Sequence, residues 1–140
     1  MPSRHQHIFL FILLFTALLV YFLNEIAQVN FYYWTFWWYD IMMHFLGGFV
    51  VSGVGLWAFV RFTPASYTQI QQMLYVALGT GIVIGISWEF FEYLNGMYVA
   101  QTNIVTDTAG DLIMDCIGSI TSWLMVRSML SPNPLSNQSS

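Results

Sequence analysis

Four apolar runs, Ile8 to Leu23, Ile41 to Phe62, Met73 to Leu94 and about Leu112 to Leu130, take up most of a 140-residue chain. Each approaches the ~20 residues with which a helix crosses a ~30 Å hydrocarbon layer, where only a segment that satisfies its own backbone hydrogen bonds can stand. The connections are too short for a water-soluble domain. The expected fold is all-α: a polytopic membrane protein, a four-transmembrane-helix bundle with spans over about 8–27, 40–62, 72–94 and 108–130. These form one membrane domain, 1–130, and the closing SPNPLSNQSS, 131–140, reads as a disordered polar tail. Composition agrees, with 57% hydrophobic and 7% charged residues. The mean hydropathy is +0.62, far above that of an ordinary soluble domain.

The first run follows a weakly basic MPSRHQH, as a signal peptide would, but no small-x-small cleavage site comes after it. LNEIAQVN suits a helix end, so the run is expected to be a membrane anchor. Cys116 is alone and lies within a span, which predicts a buried thiol and no disulfide.

Charge is sharply polarised. The three arginines, Arg4, Arg61 and Arg127, fall on one side of a four-span topology, and the positive-inside rule then puts both termini in the cytoplasm. The seven acids, Glu25, Asp40, Glu89, Glu92, Asp107, Asp111 and Asp115, fall at helix ends or first turns on the opposite side. Solvation accounts for Glu25, Asp40 and Asp107. It does not account for Asp111 and Asp115, which lie ~6 and ~12 Å beyond Asp107 along a helix axis, or for Glu89, a turn below Glu92. A carboxylate at that depth costs about 2 to 3 kcal/mol if it faces lipid, so it faces a cavity or a partner.

Helical spacing groups these acids with small residues. Asp107, Asp111, Asp115, Gly118 and Ser122 share one stripe of the last span. Gly81, Gly85, Glu89 and Glu92 share one of the third, and Asp40, His44, Gly48, Ser52 and Gly55 one of the second. Small residues let helices approach closely in lipid. The inner halves should pack tightly while the outer halves splay around an outward-open polar pocket, with His44, Glu89, Asp111 and Asp115 at its core. DIMMHFLGG, 40–48, also aligns without a gap to DLIMDCIGS, 111–119, pairing His44 with Asp115 and Gly47 with Gly118. This suggests a parallel repeat of two helix pairs.

Carboxylates crowded in this way cannot all stay ionised unaided, because two charges 4 Å apart repel by about 4 kcal/mol at an effective dielectric of 20. They share protons or bind a cation. Oxygen donors suit Mg²⁺, Ca²⁺ or Mn²⁺, and an imidazole extends the choice to Zn²⁺. His44, Glu89, Asp111 and Asp115 are the expected metal ligands, with Glu92 or Asp40 as base or supporting group. The alternatives are a proton or cation relay in a transport component, which with four helices would require a homo-oligomer, and an accessory subunit whose acids only fasten helices together. FYYWTFWWY, 31–39, holds eight aromatics in nine positions, the composition of an interfacial belt or of a lipid-binding lip over the acids. His5 and His7, beside Arg4, read as interfacial residues.

The ordered set Asp40-x3-His44-Phe45, Glu89-x2-Glu92 and Asp107-x3-Asp111-x3-Asp115-x2-Gly118 resembles small bacterial membrane proteins of the VanZ-like group, and more closely the YjdF-like inner-membrane proteins. The resemblance runs from about Trp37 to Ser122. Where the VanZ-like pattern has lysine, glutamine and asparagine, this chain has Ile41, Glu92 and Asp115. One cation is lost and two acids are gained. The resemblance implies a bacterial inner (cytoplasmic) membrane location, with membrane lipids as surroundings; the acidic pocket itself is expected to bind a divalent cation and to act on or recognise a lipid or envelope-precursor headgroup. The resemblance carries no settled reaction, and no nucleic-acid partner is expected.

Overall fold

Helix boundaries in this chain follow local chemistry. A computed structural model describes residues 3–64, 69–96 and 103–130, which fold into α1 (Ser3–Asn30), α2 (Tyr32–Thr35), α3 (Tyr39–Phe62), α4 (Ile70–Asn95) and α5 (Ile104–Leu130). The expected tail, 131–140, lies outside the described residues. Phe31 takes a left-handed conformation (φ 58°) and separates α1 from the single turn of α2. α3 ends at Thr63, immediately before Pro64. Gln69 and Gln72 form a reciprocal capping box at the start of α4, and Gly96 (φ 63°) closes its far end. Asn103 begins α5 by accepting the Val105 N–H through its side-chain oxygen.

Four of the five helices are long and apolar enough to cross a membrane, and all described regular structure is helical. All four begin before the expected apolar runs, and α1 and α4 also continue past them, because the helical backbone runs on through interfacial residues. Paired contacts fix their relative directions. His44 meets Asp115 and Ser52 meets Ser119, so α3 and α5 run parallel. Thr108 meets Glu89 at one end and Trp123 meets the Ile70 carbonyl at the other, so α4 runs antiparallel to α5. Tyr39 bonds the Leu23 carbonyl, and α1 runs antiparallel to α3. Thus Arg4, Arg61 and Arg127 collect at one end of the bundle and the acids at the other. Asp40 and Asp107 sit in first turns and Arg61 and Arg127 in last turns, which complements the helix dipoles.

The main contacts join α3 to α5, with α4 against both, while α1 leans chiefly on α3. α3 and α5 meet backbone to backbone. A Cβ on Gly48 would lie 2.7 Å from the Cα of Asp115, and one on Gly118 would lie 2.7 Å from the Phe49 nitrogen. Gly81 faces Ser119 and Gly55 faces Thr80 across the α3–α4–α5 seams. Hydroxyls stitch the same seam: Ser52 Oγ lies 2.6 Å from Ser119 Oγ and 2.9 Å from the Ala77 carbonyl, and Ser119 donates to the Asp115 carbonyl at 2.7 Å. Toward the arginine end the core turns apolar, with Phe9, Leu13, Phe49, Leu56, Met73, Ala77 and Val126. The remaining apolar faces, such as Ile82, Val83 and Ile86 of α4, are exposed and belong to the lipid.

Gly47 and Gly118, aligned with each other in the two similar stretches, have different surroundings. Gly118 packs against α3, but Gly47 meets nothing within 4 Å, and its neighbour Gly48 makes the contact with α5. The adjacent glycines therefore give a clean test. Gly48→Ala drives a methyl into a backbone that cannot retreat and is expected to cost about 1–3 kcal/mol, read as a lower melting temperature in mild detergent. Gly47→Ala should leave the melt unchanged or raise it, since alanine favours a helix by up to ~1 kcal/mol over glycine.

Candidate functional site

Helical spacing places Asp40 and His44 one turn apart on α3, Glu89 and Glu92 on α4, and Asp107, Asp111 and Asp115 on successive turns of α5. The glycine contacts below them bring these three faces together at the acidic end. His44 stands at the centre, 6% exposed, with Asp111 and Asp115 at 3% and 5%. Its Nδ1 lies 3.4 Å from Asp115 Oδ2. Its Nε2 points the other way, 3.7 Å from Glu89 Oε1 and 3.8 Å from Asp40 Oδ1.

Two triads share this imidazole. One ligand atom each from Asp40, His44 and Asp111, and likewise from His44, Glu89 and Glu92, lie within 4.8 Å of one another. Of the four residues expected as ligands, His44, Glu89 and Asp111 thus fall in these triads. Asp115 instead approaches His44 from the Nδ1 side. Asp40 and Glu92, expected as base or supporting groups, stand inside the triads. Glu25 is exposed on α1, and Asp107 is half-buried at the start of α5.

The cluster is tightly held. Gly48 lets α3 lie against the Asp115 backbone, and Gly85 leaves room for its carboxylate, because a Cβ at Gly85 would strike Asp115 Oδ2. Thr108 donates to Glu89 Oε2 at 2.6 Å, and Trp88 Nε1 donates to Glu92 Oε1 at 2.9 Å. Glu89 Oε1, the oxygen that faces His44, is buried and has no hydrogen-bond partner among the described residues. The expected outward-open pocket is thus largely filled by its own side chains. Asp40 and Glu89 form its partly exposed rim, at 19% and 14% of their side chains.

The aromatic stretch lies beside the rim. Tyr33 is half-buried and donates to Asn24 Oδ1 at 3.0 Å, while Tyr39, buried, donates to the Leu23 carbonyl at 2.9 Å. These two bonds tie the segment to the end of α1. Burial, and after it the negative charge of Asp40, pushes the Tyr33 phenol well above its ordinary pKa, with Tyr39 and Glu92 adding to the effect, so it stays a neutral hydroxyl. Trp34, Phe36, Trp37 and Trp38 remain exposed.

Thr108, Ser119 and Tyr33 were not among the residues singled out from the sequence. Thr108 and Ser119 carry the acidic stripe's own signal, three residues before Asp111 and four after Asp115. Tyr33 has no such signal, because its place depends on the turn at Phe31. At the arginine end, His5 is half-buried, and its Nδ1 is buried without a hydrogen-bond partner among the described residues. Cys116 is half-buried and free.

A family model matches residues 5–131, a stretch that contains every residue of the cluster. The chain belongs to that family, Predicted membrane protein (DUF2238). None of the curated proteins and none of the solved structures matches the chain significantly. As a DUF2238 member it is an integral membrane protein by family as well as by its four long apolar helices.

Thr108 offers a direct probe of the rim. Thr108→Val keeps the shape but strands Glu89 Oε2, and it is expected to lower stability by about 1 kcal/mol. Thr108→Ser, which keeps the donor, should melt close to the wild type.

Proposed function

We propose that the His44 cluster is a divalent-cation site of a YjdF-like bacterial inner-membrane protein, and that it recognises or acts on a lipid or envelope headgroup. The observation that carries this reading is Glu89 Oε1, a buried carboxylate oxygen with no hydrogen-bond partner among the described residues, set 3.7 Å from an imidazole nitrogen. That separation is too long for a hydrogen bond. It suits two donors on one ion, since ligands at ~2.1 Å from a metal stand 3.7 Å apart when the angle between them is about 120°. Asp40 Oδ1, at 3.8 Å from the same nitrogen, fits the same sphere.

In this scheme His44 Nε2, Glu89, Asp111 and Asp40 hold the ion. Asp115 accepts from Nδ1–H, fixes the tautomer and leaves the Nε2 lone pair for the metal. Glu92, on the rim, is placed to exchange a proton with whatever approaches. An imidazole among carboxylates favours Mn²⁺ or Zn²⁺ over Ca²⁺ or Mg²⁺. The polarised charge supports an orientation with the arginines in the cytoplasm, which puts the cluster on the outer side.

Metal content after purification in mild detergent tests this reading. The wild type should retain about one equivalent, and the Asp111→Asn, Glu89→Gln double variant should lose it. No metal in either protein would sink the reading. If the double variant also loses most of its stability, the acids fasten helices instead. Gly85→Ala makes a separate prediction. By displacing the Asp115 carboxylate it should weaken metal affinity about 10- to 100-fold, the usual cost of disturbing a group that orients a ligand, and Asp115→Asn should weaken it less than Asp115→Ala.

A further inference from the structure

α3 and α4 meet near mid-span and then part on the lipid-facing side of the bundle. Gly55 of α3 lies against Thr80 of α4, so closely that a Cβ on the glycine would strike the threonine hydroxyl. The two helices run antiparallel, and each further turn toward the acidic end pairs a residue four earlier on α3 with one four later on α4. Continued contact would therefore set Val51 against Ile84 and Gly47 against Trp88. It does not continue. A Cβ on Gly47 would meet nothing within 4 Å among the described residues. Ile84 and Trp88 are each 46% exposed, although spacing puts them on the same stripe as Ala77, which is fully buried. Trp88 instead turns along its own helix and donates its indole N–H to Glu92 Oε1 at 2.9 Å. The diverging stripes leave a crevice with Gly47 as its floor and Ile84 and Trp88 along one wall.

The crevice is apolar and opens sideways. Thr80 and Ser87 spend their hydroxyls on the Val76 and Val83 carbonyls of their own helix, both at 2.7 Å, so neither offers a donor to a partner. Val54, on the same side of α3, and Val83 of α4 are exposed at this depth, within helices apolar enough to cross a membrane. From His44 to Gly55 the α3 axis rises ~16 Å, close to the ~15 Å that one leaflet of a ~30 Å hydrocarbon layer occupies. The upper end reaches the cluster: Asp40 lies two turns above Gly47 on its stripe, and Glu89 follows Trp88.

We infer that this crevice holds an acyl chain, so that the ligand of the His44 cluster is a membrane phospholipid entering sideways from the bilayer between α3 and α4. The inference rests on the cation-site reading for the headgroup alone: with the chain along Gly47, the phosphate stands beside the ion held by His44. An apolar, leaflet-length cleft at hydrocarbon depth suits a lipid tail and offers nothing to a water-soluble headgroup. Gly47 serves as its floor because any side chain there would fill it.

Native mass spectrometry of the full chain in mild detergent tests the inference. One sample is offered phosphatidylglycerol and another glycerophosphoglycerol, the same headgroup without chains, and metal content is measured on both. The wild type should retain the phospholipid and not the chain-free headgroup. Gly47→Phe should lower phospholipid retention about tenfold with metal content unchanged. Gly79→Phe should keep it, because that glycine lies on the exposed face of α4 and a Cβ there also meets nothing within 4 Å. Undiminished retention in Gly47→Phe overturns the inference, as does equal retention of the two ligands by the wild type. A wild-type dimer that Gly47→Phe converts to monomer would put a second copy in the crevice and overturns it too. If Gly47→Phe does not fold, Val51→Trp decides on the same terms. The two readings fail separately: metal without phospholipid retention removes this inference alone, and phospholipid retention lost in Gly47→Phe but without metal removes the cation site and leaves the crevice.

Discussion

The backbone contact between α3 and α5 governs everything at the acidic end. In lipid, helices gain little from burying apolar surface, so their association depends on close van der Waals approach and on polar groups that have nowhere else to go. Gly48 and Gly118 provide the approach. The Ser52–Ser119 pair, lodged beside Ala77 of α4, provides the polar part. With the axes this close, His44 and Asp115 come within reach of each other one turn farther along. Glycines on α4 repeat the device, because Gly81 admits Ser119 and Gly85 admits the Asp115 carboxylate. The site is a by-product of tight packing below it.

That dependence explains which parts of the site were legible in the sequence. The three stripes could be read because helical periodicity and the cost of a lipid-facing carboxylate both act on residue spacing, and spacing is written in the chain. His44, Glu89, Asp111 and Asp115 were marked by those two rules alone. The rules do not specify which way a ring turns. Asp115 looked like one more ligand, yet its place on the Nδ1 side of His44 follows from the register between α3 and α5, which single-helix periodicity cannot give. Gly48 and Gly47, by contrast, are told apart by spacing: Gly48 shares the stripe of His44 and Ser52 and packs on α5, and Gly47, one residue off that face, meets nothing within 4 Å.

Tyr33 shows a different limit. Its position follows from a left-handed residue, Phe31, that no composition rule marks as a turn, since phenylalanine seldom adopts such a backbone. An aromatic run of this kind reads as an interfacial belt, and the exposed tryptophans fit that description. The hydrogen bonds of Tyr33 to Asn24 and of Tyr39 to the Leu23 carbonyl add a second property. They fasten the belt to α1, which otherwise leans on α3 and supplies no member of the triads.

The four spans are not equal in apolar character. Mean hydropathy over the best window falls from 2.2 in α1 to 1.2 in α5, the helix that carries three aspartates. Once α1, α3 and α4 have entered the bilayer, His44 and Glu89 wait without the counterpart that α5 brings, and α5 is the span that gains least from lipid on its own. Seating α5 in the bundle and closing the acidic cluster are therefore energetically coupled. Without α5, the His44 imidazole would stand within the membrane with neither Asp111 nor Asp115 beside it.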